Sequence, residues 1–123
     1  LAEDNRINQI LIQKVLSKFN FDCVIVENGK LAVEAIVDDR FDIVLMDIMM
    51  PVMDGYEASM LIRNLTDETK KNIPIIALTA VVTGSVIDAC FSAGINKYLS
   101  KPFEAEELYN VINELVDKED NVN

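Results

Sequence analysis

Short apolar runs alternate along the chain with segments whose apolar residues recur at helical spacing. The most distinct run covers residues 41–46 and ends at Asp47. A run of this length is typical of a strand buried on both faces, as in a parallel sheet. Pro51 and the turn signal Asp54-Gly55 prevent the strand from continuing. Asp47 is therefore predicted to lie at the carboxyl end of a buried strand, where open α/β sheets bind ligands.

The same patterns predict the remaining elements. Leu1 and Ala2 look like the end of a first strand, which is expected to be truncated here because strands usually have ~5–6 residues. Further strands are predicted over residues 22–26, 75–79 and 97–99. Helices are predicted over residues 6–18, 30–38, 56–64, 86–93 and 104–116, with a loop over 66–72. Leu31 and Leu61 are expected to face the core.

Five strands alternate in this way with five helices. The alternation predicts one α/β domain over residues 1–123, with a doubly wound parallel sheet and helices on both faces. Residues 117–123 are expected to form a polar tail.

The composition excludes several functions. The net charge of −10 argues against direct binding of nucleic acid, and the absence of histidine excludes a Ser-His-Asp triad and a His-based metal site. No apolar run approaches the ~20 residues of a membrane span, so membrane contact is not expected. Cys23 and Cys90 show no CxxC spacing and are predicted to be buried thiols of a cytoplasmic protein.

Polar side chains follow four of the predicted strands. They are Glu3 and Asp4 after the first, Asp47 after the third, Thr79 after the fourth and Lys101 after the fifth. Each alone has an ordinary explanation, such as a helix cap or a solvated lysine. Because the ends of parallel strands meet at one edge, the five are expected to share a cleft. Three carboxylates there favour a bound Mg²⁺ or Mn²⁺.

This set of groups suggests phosphorylation of an aspartate. A carboxylate acts as a nucleophile and forms an acyl phosphate, while a cation and a lysine neutralise charge on the transferring group.

Four motifs in this order resemble those of receiver domains of two-component response regulators, over essentially the whole chain. They are Glu3-Asp4-Asn5, the Asp47 stretch with its MMPVMDG continuation, Leu78-Thr79-Ala80, and the stretch Tyr98-Leu99-Ser100-Lys101-Pro102-Phe103. The first and third look most like receivers of hybrid sensor histidine kinases. The resemblance implies a flavodoxin-like fold with strand order 2-1-3-4-5.

The resemblance also implies a role for each site residue. Asp47 would be the phosphoacceptor, and Mg²⁺ would be bound by Asp4, Asp47, the Met49 carbonyl and, partly through water, Glu3. Lys101 would pair with the Asp47 carboxylate and then with the phosphoryl group. Thr79 would bind a phosphoryl oxygen, and Thr79 and Tyr98 would switch on activation. Pro102 would follow a cis peptide bond. The partner would be a histidine kinase or histidine phosphotransfer protein, and a homodimer stays open.

The interpretation is a phosphoacceptor signalling module that is consumed as a substrate, and therefore not an enzyme in the usual sense. One alternative is an aspartyl-phosphate phosphohydrolase, which would require a second acidic residue at the position that Met49 occupies. The other is a binding module that works without phosphorylation and retains a vestigial cleft. Met49 and Val81, which flank the path of the hydrolytic water in receivers, cannot orient a water molecule, so slow self-dephosphorylation is expected.

Overall fold

The computed structural model describes residues 1–120, with side chains described as far as residue 116. Three strands form a parallel sheet in the order β1 (Val44–Asp47), β2 (Ile75–Thr79) and β3 (Lys97–Ser100). The helices are α1 (Arg6–Lys18), α2 (Gly29–Asp38), α3 (Gly55–Arg63), α4 (Glu68–Lys71), α5 (Gly84–Ser92) and α6 (Ala105–Asp120).

Ala2 continues the sheet on the free side of β1. It forms isolated parallel bridges with Met46 in β1 and with Val26 on its other side. Its N–H donates to the Leu45 carbonyl at 2.8 Å, and its carbonyl accepts from the Asp47 N–H at 3.0 Å. The first chain segment therefore lies between Val26 and β1, which confirms the predicted order 2-1-3-4-5.

The prediction of a regular strand over residues 22–26 is wrong for the described part of the chain. Of these residues only Val26 forms a bridge, and the sheet has three regular strands instead of five. Three hydrogen bonds join this segment to the start of the chain. The Leu1 amino group donates to the Val24 carbonyl at 2.9 Å, the Val26 N–H donates to the Leu1 carbonyl at 2.9 Å, and the Glu3 N–H donates to the Val26 carbonyl at 3.0 Å. A ladder needs consecutive pairs, and this contact is too short to provide them.

Alternate strand residues pack into two separate cores, one on each face of the sheet. Met46 and Ala77 contact the core that includes residues of α2, α3 and α5. Leu45 and Leu78 contact the core that includes residues of α1 and α6. The period of two follows from strand geometry and confirms that helices cover both faces.

Side-chain caps define where the helices begin. The side chains of Asn5, Asn28, Asp54 and Thr83 each accept a hydrogen bond from a backbone N–H in the first turn of α1, α2, α3 and α5. Helix α5 consequently begins at Gly84, directly after the Thr83 cap.

Three further expectations are corrected. The predicted loop over residues 66–72 contains α4, a four-residue helix capped by Asp67, which is too short to show apolar periodicity. Leu31 and Leu61 are exposed, because Ala32 and Ile36 in α2 and Ala58 and Ile62 in α3 face the core. Helix α6 continues to Asp120, so the segment predicted as a polar tail starts as helix, and residues 121–123 lie outside the described residues.

Both cysteines are free thiols, with Cys90 buried as predicted and Cys23 partly exposed. In the described part of the chain, no helix combines the length and the hydropathy that crossing a bilayer requires.

Candidate functional site

Asp47 is the last residue of β1 and lies at the carboxyl edge of the sheet. The three strand residues before it are buried, and Asp47 itself is 6% exposed. The loop after it closes tightly, since the Gly55 N–H donates to the Ile48 carbonyl at 2.9 Å. A Cβ on Gly55 would lie 2.5 Å from the Asp47 carbonyl oxygen, so only glycine allows this approach. The loop thereby holds Asp47 at the mouth of the cleft.

Three carboxylates meet at this edge as predicted. Carboxylate oxygens of Glu3, Asp4 and Asp47 all lie within 4.8 Å of one another. Glu3 is fully buried and Asp47 nearly so, whereas Asp4 is exposed to solvent. Burial makes their mutual repulsion costly, so the cluster needs positive charge nearby.

Lys101 supplies part of that charge and contacts two of the acids. Its Nζ lies 3.0 Å from Glu3 Oε1 and 3.4 Å from Asp47 Oδ2. The shorter contact is with Glu3, although the sequence led us to expect Lys101 to pair with Asp47. Two buried carboxylates thus share one ammonium group.

Burial and the neighbouring acid shift the protonation of this pair. Burial, followed by the close approach of Glu3, raises the pKa of Asp47 to about 7, while Lys101 acts in the opposite direction. Burial also acts to raise the pKa of Glu3, but contacts with Asp47 and Lys101 outweigh it and the pKa is lowered. The two carboxylates titrate as a coupled pair, in which Asp47 is the one that takes up a proton in the neutral range.

The cluster suits a hard divalent cation. Glu3 Oε2 is buried and makes no hydrogen bond with any described residue, so one ligand oxygen is left without a partner inside the cleft. An all-oxygen set of three carboxylates matches the preference of Mg²⁺ or Mn²⁺. A cation would be a partner for Glu3 Oε2 and would compete with protonation of Asp47.

Thr79 lies at the end of β2, next to β1 in the sheet. Its hydroxyl group donates to the Val81 carbonyl at 2.9 Å and accepts from the Val81 N–H at 3.1 Å. The hydroxyl group is therefore hydrogen-bonded to the loop that follows it, as is common for a threonine at the end of a strand. Contact with a group on Asp47 would require it to exchange these bonds.

The other predicted site residues have different local contacts. The Met49 N–H donates to Asp47 Oδ1 at 3.3 Å, while the side chains of Met49 and Val81 are exposed. Tyr98 is half-buried in β3 and packs edge-on against Phe91, with ring centroids 6.5 Å apart. The peptide bond before Pro102 is cis, as predicted.

Gln9 also contacts this region, and the sequence reading did not identify it. Its Nε2 donates to the Glu3 carbonyl oxygen at 2.6 Å. The available signal was its spacing, because it precedes the core residues Ile12 and Leu16 by three and seven positions on α1.

Comparison with known proteins connects this geometry to one family. Residues 1–113 match the family model described as the response regulator receiver domain. The chain is 42% identical over 123 residues to hybrid signal transduction histidine kinase M of Dictyostelium discoideum, covering 98% of this chain and 5% of that protein. It is 37% identical over 112 residues to the sensor protein GacS of Pseudomonas syringae pv. syringae, covering 90% of this chain and 12% of that protein. The chain thus spans a small part of these relatives.

Solved structures of receiver domains share the fold. The receiver domain of sensor histidine kinase PA1611 from Pseudomonas aeruginosa PAO1 aligns with a TM-score of 0.87 and 37% identity, covering 94% of this chain and 93% of that one. That crystal structure has a magnesium ion coordinated in its active site cleft. A histidine kinase receiver domain from Syntrophus aciditrophicus aligns with a TM-score of 0.88 at 23% identity over 99% of this chain and 91% of its own, which shows the fold alone. The flavodoxin-like prediction is confirmed.

Proposed function

The chain belongs to the response regulator receiver domain family of two-component signalling, and on this premise we propose that Asp47 accepts a phosphoryl group from phosphohistidine. The donor is a histidine kinase or a histidine phosphotransfer protein. The observation that carries the proposal is the position of the Asp47 carboxylate, with a lysine 3.4 Å away and two further acids within 4.8 Å. A structural aspartate has no need of this combination.

The transfer is a displacement at phosphorus. A carboxylate oxygen of Asp47 attacks, the bond between phosphorus and the partner's imidazole nitrogen breaks, and its electron pair stays on that nitrogen. The product is an acyl phosphate on Asp47. The attacking carboxylate must be ionised, which the nearby Lys101 ammonium group favours.

Glu3, Asp4, Asp47 and the Met49 carbonyl would hold the cation. When bound there, Mg²⁺ neutralises charge on the phosphoryl oxygens during transfer. The protein's own contribution is to hold three acids in one cleft and to place Lys101 Nζ between two of them. Lys101 then moves its contact to the phosphoryl group, where it offsets the added negative charge.

Thr79 and Tyr98 would transmit the change. Attraction of the Thr79 hydroxyl to a phosphoryl oxygen would break its two bonds to Val81 and displace the loop that follows β2. Tyr98 packs against Phe91 of α5, so its rearrangement alters the surface formed by α5, β3 and α6. Phosphorylation in this way biases two conformations of one surface.

The relatives suggest the setting. Three hybrid signal transduction histidine kinases of Dictyostelium discoideum contain a segment similar to this chain, so we propose that it serves as the receiver of such a protein in the cytoplasm. The chain is then a substrate of the relay, and no turnover of an external substrate is expected.

Acetyl phosphate and a beryllofluoride mimic test the proposal. The intact chain is incubated with each, with and without Mg²⁺, and adducts are measured by mass spectrometry and by NMR. We expect one adduct at Asp47 that requires Mg²⁺ and persists for minutes, with none in Asp47→Asn. The matched control is Asp54→Asn, which changes a nearby carboxylate that caps α3 and should leave adduct formation intact.

Other outcomes would support the rival functions. Rapid steady release of phosphate from acetyl phosphate without an accumulating adduct indicates a phosphohydrolase. Absence of reaction with both reagents at saturating Mg²⁺ indicates a binding module that works without phosphorylation.

A further inference from the structure

Gln9 is a polar residue at the N-terminal end of the buried face of α1. It precedes Ile12 by three residues and Leu16 by seven, a spacing that places the three side chains on one side of the helix. Ile12 and Leu16 are 4% and 5% exposed, and Gln9 itself is partly buried. An apolar residue is expected in such a place, so the carboxamide requires a hydrogen-bond partner.

That partner is the main chain of Glu3. Gln9 Nε2 donates to the Glu3 carbonyl oxygen at 2.6 Å. Glu3 lies just past the last bridge to β1, since the Asp47 N–H pairs with the Ala2 carbonyl. The fully buried Glu3 therefore has a carbonyl group that β1 does not satisfy. Gln9 supplies the missing donor.

The contact fixes the turn that carries two of the three acids. The Glu3 N–H donates to the Val26 carbonyl at 3.0 Å, so the Glu3 main chain is held from both sides. Asn5 then starts α1 by accepting from the Asn8 N–H at 3.0 Å. Asp4 lies between these fixed points with an exposed side chain. Its direction depends on the backbone that Gln9 and Asn5 hold.

We propose that Gln9 is a positioning residue for the acidic cluster: its hydrogen bond to the Glu3 carbonyl sets how the Glu3 and Asp4 carboxylates approach Asp47, and thereby the affinity for a divalent cation. Gln9 acts through the main chain and is not a ligand. The inference rests on the proposed function, because it takes the cluster to be a Mg²⁺ site. Residues that orient the ligands of a metal site affect affinity strongly even when they do not touch the ion.

Two substitutions with similar shape separate the hydrogen bond from charge. Gln9→Met removes the donor. Gln9→Glu replaces the donor with an acceptor and adds a negative charge, which alone would tighten Mg²⁺ binding. Gln13→Met makes the first change on an exposed position of the same helix. Mg²⁺ affinity is measured by NMR titration of the whole chain, alongside the Mg²⁺ dependence of the beryllofluoride adduct.

Both Gln9 variants should bind Mg²⁺ about tenfold more weakly than wild type, in line with the known effect of outer-sphere partners. At saturating Mg²⁺ the adduct should reach the wild-type level, because the acceptor is unchanged. Gln13→Met should keep wild-type affinity. A purely structural role for Gln9 would instead lower the folded fraction and leave the affinity of the folded molecules unaltered.

Unchanged affinity in Gln9→Met, tighter binding in Gln9→Glu, or an equal loss in Gln13→Met would overturn the inference. If Gln9→Met does not fold, the test uses Gln9→Glu together with hydrogen exchange of the wild-type Gln9 carboxamide. Slow exchange of an Nε2 proton supports the proposal, and exchange at the rate of a free carboxamide refutes it. Failure of the wild-type chain to bind Mg²⁺ would refute the proposed function itself and is thus distinguishable.

Discussion

At the scale of single residues, the protonation of Asp47 governs what the cleft binds. A cation enters as a carboxylate loses its proton, so binding of metal and release of the proton are linked. Because the pKa of Asp47 is raised to about 7 by burial and by Glu3, protons compete with the cation in the neutral range. An isolated surface aspartate, with its ordinary pKa near ~4, would not show such competition.

Mg²⁺ affinity should therefore depend on pH. We expect it to fall up to about tenfold per unit as pH decreases below 7, where one proton must be displaced, and to level off above pH 7. Calorimetric titration between pH 5.5 and 8 measures the slope, and Thr79→Ala, which leaves the carboxylates intact, should share it. An affinity that is constant across this range would contradict the raised pKa of Asp47.

Val52 adopts a backbone conformation that valine rarely takes. Its φ is 69°, in the left-handed region, and its side chain is 77% exposed. A β-branched residue there is strained, while little burial is lost on replacing it. Val52→Asn should raise the free energy of unfolding by about 1 kcal/mol. Urea denaturation measures this change. The control is Val37→Asn, at an exposed position of α2, which should show no gain in stability.

Met49 and Val81 follow Asp47 and Thr79 by two residues and have exposed apolar side chains. Neither orients a water molecule for attack on an acyl phosphate, so the phosphorylated state should be long-lived. Met49→Asn combined with Val81→Gln should shorten its lifetime by about tenfold or more, since a positioned polar group contributes substantially to proton transfer. Phosphate release after removal of acetyl phosphate gives the rate. An unaltered lifetime would show that these positions do not control hydrolysis.

At the scale of elements, sequence patterns predicted most helices but not every contact that joins them. Apolar periodicity and the turn signal Asp54-Gly55 located α1 and α3 to within a residue or two, because both are local properties of the sequence. Residues 22–26 failed as a strand because pairing depends on a distant neighbour. Helix α4 was missed because four residues held by the Asp67 cap carry no period.

Arg63 joins the ends of several elements at the edge of the sheet where the strands begin, which is the edge opposite the cleft. Its guanidinium group donates to the Gly94 and Lys71 carbonyl oxygens at 2.9 and 2.7 Å and to the Asn96 side chain at 2.9 Å. Asn96 in turn accepts from the Ile75 N–H at 2.8 Å, at the start of β2. The contacts tie α3, α4 and the loop before β3 to the central strand.

Arg63→Lys should lower the free energy of unfolding by about 2 kcal/mol, because an ammonium group cannot make three divergent hydrogen bonds in this geometry. Arg6→Lys, at the exposed start of α1, should change it little. Thermal and urea unfolding of both variants measure the difference. Equal stability of the two variants would show that the Arg63 contacts add nothing.

At the scale of the whole molecule, topology explains how much of the site was predictable. Parallel strands bring Asp47, Thr79 and Lys101 to one edge whatever their exact contacts, so their convergence with Glu3 followed from the order of elements. The sequence could not predict that Lys101 lies closer to Glu3 than to Asp47. Differences of a few tenths of an ångström depend on the packing of the folded chain.

Mg²⁺ should stabilise the entire fold, because the cluster proposed to bind it joins the first segment of the chain to β1. At a concentration one hundred times the dissociation constant, we expect the free energy of unfolding to rise by about 2.7 kcal/mol. Melting curves at matched ionic strength, with KCl as the control salt, measure the gain. Asp4→Asn should reduce it, and an equal effect of KCl would indicate general screening of the −10 charge.

The central strand decides where a disturbance of the cleft travels. Four residues of β2 are 0% exposed and pack alternately into the two cores: Ile75, Ile76, Ala77 and Leu78. Close-packed interiors deform little. Strand β2 is therefore expected to be rigid, and Thr79 is its last residue. The strand residues before Thr79 would not shift if the Thr79 hydroxyl group were displaced. A displacement of the Thr79 hydroxyl would therefore move the short segment between Thr79 and Thr83, the cap of α5.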